Sequence, residues 1–124
     1  MPLVLIALGG AAGATTRHLV DTWISERAGG AFPWGTLVIN VSGSLVLGLL
    51  FALAIERGVF PASVRGPVLV GFIGAYTTFS TLMLESWRLV EGGAVVLGLA
   101  NLVGSSVIGM IALIGGLMIG RSLA

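Results

Sequence analysis

The chain has no cysteine, which closes disulfide, thiolate-metal and thiol-nucleophile readings together. Charge is scarce: 9 % of the 124 residues are Asp, Glu, Lys or Arg, and the net charge is +1, too little positive surface for a nucleic-acid footprint. The one histidine, His18, stands beside Arg17 with no second ligand at helical spacing, so no metal site is expected there. No nucleophile–base pair stands out either, which puts an enzyme last among the readings. Met1-Pro2 leads straight into apolar sequence without a basic n-region, so a cleaved signal peptide is not expected. What remains is apolar: 56 % of residues are hydrophobic and mean hydropathy is +1.10, the profile of an integral membrane protein.

The few charges divide the chain into four apolar segments. About 20 residues cross a hydrocarbon core of ~30 Å, and helices are expected over about residues 2–24, 34–55, 66–88 and 93–120. The loops between them are short, so consecutive helices run antiparallel and both termini fall on one side. Residues 1–124 thus form a single transmembrane domain, and function lies within the membrane. Small residues recur four apart at Gly9/Gly13, Ser44/Gly48, Ala100/Gly104, Ser105/Gly109 and Ala112/Gly116/Gly120, where helix backbones approach closely. Four thin helices enclose little, so an oligomer is expected.

Orientation is nearly unbiased. Arg57, Arg65 and Arg121 fall on the terminal side, and Arg27 and Arg88 on the other, with Arg17 a third candidate. Positive charge in short loops sets topology, and this balance predicts insertion in both senses. Trp23, Trp34 and Trp87 all sit at one interface in this layout. An antiparallel dimer would supply aromatic belts at both.

The third segment carries the most unusual sequence. Gly66 to Leu84 is uncharged, yet its middle reads GFIGAYTTFST from Gly71 to Thr81. Thr and Ser compete for backbone partners, and Gly71 and Gly74 loosen the ladder before them. Broken backbone survives in a membrane only inside protein or beside a water-filled cavity. The segment therefore reads as a discontinuous helix facing an ion or substrate path. Nearby segments supply amides and hydroxyls one turn apart: Asn40 with Ser44, and Asn101 with Ser105. Glu85 and Arg88 read as interfacial. Arg17 either snorkels to the interface or contributes a positive field at a pore mouth.

GGAAGATTR, WGTLVINVSGS and GFIGAYTTFST, in this order in a four-helix chain, resemble the bacterial Fluc (CrcB) fluoride channels. The resemblance implies an all-α integral membrane fold with a broken third helix, assembled as an antiparallel dual-topology homodimer with two pores. It implies passive fluoride export across the bacterial inner membrane for fluoride resistance. It also implies a structural Na⁺ held by the backbone carbonyls of Gly74 and Thr77 from both subunits. The family's pore asparagine falls on Asn40 and its first pore phenylalanine on Phe79, with Ser80 and Thr81 as pore-side hydroxyls. Ser44 and Ser105 complete the expected lining. Where the family usually has a second phenylalanine, this chain has Leu82, which leaves the aromatic anion site half built. The alternative is a small dual-topology, proton-coupled multidrug exporter, which needs a membrane-embedded carboxylate in its first helix; Met1 to Thr16 has none. A non-transporting scaffold subunit is a third option that leaves the Gly-Thr-Thr-Phe-Ser-Thr pattern unexplained.

Overall fold

The computed structural model describes residues 2–123, and among them it contains helices and no strand. Helix α1 (Pro2–Ala28) is followed by α2 (Trp34–Phe51), whose end widens over Ala52–Glu56 to i→i+5 bonding. Helix α3 covers residues 62–76: it starts at Ala62–Arg65, widens over Gly66–Ile73 and closes normally over Gly74–Tyr76. Helices α4 (Phe79–Glu91) and α5 (Val95–Ser122) complete the chain. Four helical runs are long and apolar enough to cross a membrane: Pro2–Ala28, Trp34–Glu56, Ala62–Glu91 and Val95–Ser122.

The first and third runs overshoot the apolar boundaries read from sequence. The first continues four residues past position 24, because Arg27 lies over the Trp23 ring at 4.2 Å and donates to the Trp23 carbonyl at 3.1 Å. A cation there also suits the negative end of the helix. Gly29 and Gly30, at φ 65° and 75°, then turn the chain out, a conformation in which glycine has no Cβ penalty. The third run starts four residues before Gly66, since Pro61 leads into a regular turn at Ala62–Arg65. The wide segment beyond it was not visible in the spacing of apolar residues.

Two parallel helix pairs account for most of the packing. Between α2 and α5 the fit is mutual: a side chain at Gly48 would overlap the Leu113 carbonyl, and one at Gly116 would overlap the Leu45 carbonyl. One turn on, Gly120 faces Ala52 and the Leu49 carbonyl. Between α1 and α3, Gly9 and Gly13 lie against the Pro67 and Phe72 carbonyls, and Gly71 lies 3.1 Å, measured from where its Cβ would be, from Gly10 N. Without water to drive association, such backbone approach is what van der Waals packing in lipid depends on. Not every small-residue face is used: Gly104 and Gly115 have nothing within 4 Å.

At the terminal side, Arg121 makes a bidentate pair with Glu56 at 2.8 Å for both bonds, and Arg57 donates to the Arg121 carbonyl. The pair is largely exposed, so it orients the ends of α2 and α5 and adds little stability. The core is thin: the buried apolar residues are Ile39, Ala52, Ala54, Ile73 and Leu82. Most large apolar side chains face outward, as lipid-facing or partner-facing surfaces must.

Neighbouring glycines on α5 give a direct check. Gly116→Val should lower thermal stability in detergent by about 1–3 kcal/mol through overpacking against α2. Gly115→Ala, with open space at that position, should leave the melting temperature unchanged or raise it slightly.

Candidate functional site

Helix α3 ends at Tyr76 and α4 begins at Phe79. Between them Thr77 (φ −80°, ψ 156°) and Thr78 (φ −147°, ψ 111°) are extended. Two extended residues within a membrane-spanning run release backbone groups that lipid cannot satisfy, so the destination of each group defines the site.

The Ile73 carbonyl accepts both the Thr77 N–H and the Thr77 hydroxyl, each at 3.1 Å. The Ala75 carbonyl accepts from Arg17 Nε at 3.1 Å. Both backbone groups of Thr78 go to one side chain: its N–H donates to Asn40 Oδ1 at 2.8 Å, and Asn40 Nδ2 donates to its carbonyl at 3.1 Å. The amide thus imitates one rung of a β-ladder. The Thr78 hydroxyl caps α4, accepting from Thr81 N at 3.3 Å and donating to Thr81 Oγ1 at 2.9 Å. Among the described residues, no side chain and no N–H outside the helices donates to the carbonyls of Gly74, Tyr76 or Thr77.

Glycine lets α2 come close enough for this clasp. A side chain at Gly43 would overlap Thr77 Cγ2 and crowd the Tyr76 ring. Beside the clasp lies a cavity of about 230 Å³ lined by Asn40, Ser44, Thr77, Thr78, Phe79 and Leu82, together with Gly43 and Leu47. The amide of Asn40 has a second N–H with no partner among the described residues.

Of the residues singled out in the sequence, the structure brings Asn40, Ser44, Thr77 and Phe79 together around this cavity. Phe79 is 74 % exposed. Leu82 is buried beneath it. Ser80 is exposed, Thr81 is tied to Thr78, and Gly74 lies on the open surface. Ser105 does not line the cavity. Its hydroxyl donates to Asn101 Oδ1 at 3.3 Å, and Asn101, fully buried, donates to Ser86 at 2.9 Å, a polar tie between α4 and α5. Tyr76 also stays out: its hydroxyl pairs with Ser42 at 3.0 Å and its ring stacks on Phe72.

Two features escaped sequence reasoning. Thr78 serves as both cap and clasped residue; the signal was a threonine three residues before Thr81, the spacing of an N-cap bond. Ser86 pairs with Asn101 across helices, and no local spacing reveals such a partner. Glu85 and Arg88 line a separate cavity of about 340 Å³ with the loop between α1 and α2, and the Glu85 Oε1 atom is enclosed without a hydrogen-bond partner among the described residues.

A family model described as CrcB-like protein, Camphor Resistance (CrcB), matches residues 4–117, a stretch that reaches all four spans and includes the whole clasp. The chain belongs to the CrcB family. Curated CrcB relatives carry the name Fluoride-specific ion channel FluC. The one from Hahella chejuensis is 42% identical over 119 residues, covering 96% of this chain and 94% of the relative. That from Magnetococcus marinus is 42% identical over 121 residues, 98% of each. That from Rhizobium meliloti is 39% identical over 121 residues, 98% and 97%. These relatives are named as channels and not as enzymes.

The clasp can be tested apart from any transport. Asn40→Ala strands the N–H and carbonyl of Thr78, each unsatisfied group costing about 1–3 kcal/mol when buried. Faster amide exchange at Thr78 and a lower melting temperature are the expected results. Asn40→Asp, which keeps the acceptor and loses the donor, should fall between Asn40→Ala and the natural protein.

Proposed function

We propose that this CrcB protein is a fluoride channel that lets fluoride leave the cell passively across the bacterial inner membrane, conferring fluoride resistance. The observation that carries the reading is near-full-length similarity, at about 40 % identity, to relatives named for fluoride conduction. The chemistry beside the clasp agrees with it. Fluoride is small and tightly hydrated, so a path for it must offer strong donors in place of water. Asn40 brings an N–H not taken by Thr78 and Ser44 a hydroxyl, and Ser80 and Thr81 are the further hydroxyls proposed for the path. The positive edge of the Phe79 ring can face an anion without holding it too tightly. No carboxylate lies in residues 2–16 to run a proton-coupled exporter.

In this proposal the third membrane helix is discontinuous and two chains assemble antiparallel. One chain leaves Phe79 and Gly74 uncovered, which a second copy would enclose. The backbone carbonyls of Gly74 and Thr77 suit Na⁺, a hard cation that takes oxygen ligands, and the second subunit would supply the same pair. When bound, the ion would supply a fixed positive charge and a tie between subunits. Ser105, committed to Asn101, is the expected lining residue with the weakest support.

Purified protein in liposomes should release fluoride much faster than chloride; equal rates would overturn the proposal. Phe79→Ile should then slow fluoride efflux by up to about tenfold, since an aromatic contact is worth ~0.5–1.5 kcal/mol and ~1.4 kcal/mol is tenfold. Leu82→Ile, a near-isosteric change at a buried wall, should be nearly silent.

Assembly has its own check. In one functional population, C-terminal tags should be labelled from both sides of the membrane, and labelling confined to one side excludes the antiparallel dimer.

A further inference from the structure

Arg17 lies well inside the first candidate span. It precedes Ala28, the end of α1, by eleven residues, roughly 16 Å at ~1.5 Å per residue. A helix of 27 residues is ~40 Å long, more than a ~30 Å core requires. A charge at that depth is costly unless it faces protein or water. Arg17 is half-buried, and its Nε donates to the Ala75 carbonyl. Its terminal nitrogens are accessible and have no partner among the described residues.

Ala75 belongs to the last turn of α3, where a helix leaves carbonyls unpaired and carries about half a negative charge. The extended step is therefore held from two sides. From α2, Asn40 binds the peptide groups of Thr78; from α1, Arg17 binds the carbonyl three residues earlier. Without Arg17, the Ala75 carbonyl would lose its side-chain partner at the end of α3. That negative helix end would lie beside a cavity an anion must enter.

We propose that Arg17 is a positioning residue for the extended step. Its bond to Ala75 anchors the end of α3 to α1, and its charge offsets the carbonyls there. The Gly74 and Thr77 oxygens thus stay free for a cation without repelling an anion from the Asn40 cavity. The inference rests on the fluoride-channel reading, and guanidinium suits the task because its charge is permanent and its donors form a fixed fork.

Tyr76 is the only tyrosine, so carbonyl-13C alanine with 15N tyrosine isolates one peptide bond, Ala75–Tyr76. That single resonance reports the Arg17 bond whether or not the protein conducts. Arg17→Gln, which keeps an N–H donor but no charge, should slow fluoride efflux by about tenfold or more, a loss within the range of partly buried helix-end charges. Arg17→Lys should restore most of the flux. Arg17→Ala should move the Ala75 carbonyl resonance upfield; if that variant does not fold, the Gln and Lys variants still decide. Efflux from Arg17→Gln equal to that of the natural protein overturns the proposal, as does an Ala75 resonance indifferent to replacement of Arg17. If the natural protein itself does not conduct fluoride, the channel reading fails, while the labelled peptide bond still reports whether Arg17 holds α3.

Discussion

The architecture depends on a single side-chain amide standing in for a neighbouring strand. In lipid every backbone group needs a partner within the protein, and a run of helix that turns extended for two residues has none of its own. Asn40 supplies both a donor and an acceptor to Thr78. Glutamine would place the same group one carbon too far, and serine offers one atom where two are needed. Around this bond the neighbouring residues follow. Gly43 is small so that α2 can approach, Thr78 is freed to cap α4, and a cavity opens where the two helix ends diverge.

Much of the gross fold was legible because water and hydrocarbon sort residues by charge. Six basic and five acidic residues in 124 leave few places for loops, and the four apolar runs sit between them. Helix ends were less legible, because Trp23 and Arg27 stabilise each other across the apolar boundary. The wide segments at Ala52–Glu56 and Gly66–Ile73 left no trace in composition, since apolar residues on every face carry no period. At the site, Asn40 was conspicuous as an amide in an apolar helix. Its partner was not, because a backbone group has no letter in the sequence. The same limit hid the Arg17–Ala75 bond, and Ser105, expected as path lining, donates its hydroxyl to the buried Asn101.

The two helix pairs behave differently. Between α2 and α5, glycines on both partners make a close and symmetrical seam. Between α1 and α3 the glycines of a regular helix meet the carbonyls of a widened one. In both seams glycines lie directly against carbonyls of the facing helix. Asn40 ties the extended step to α2, which belongs to the other pair.

The widened stretch Gly66–Ile73 also bears on how such chains vary in length. A helix bonded i→i+5 stores surplus residues for its height, and loss of one restores the regular i→i+4 pattern. A descendant lacking one residue between Gly66 and Ile73 can therefore keep its step at the same depth and facing. Loss of one residue between Gly74 and Phe79 has no such slack and would rotate every later side chain of the span. Insertions and deletions among relatives should accordingly gather in the first interval and be absent from the second.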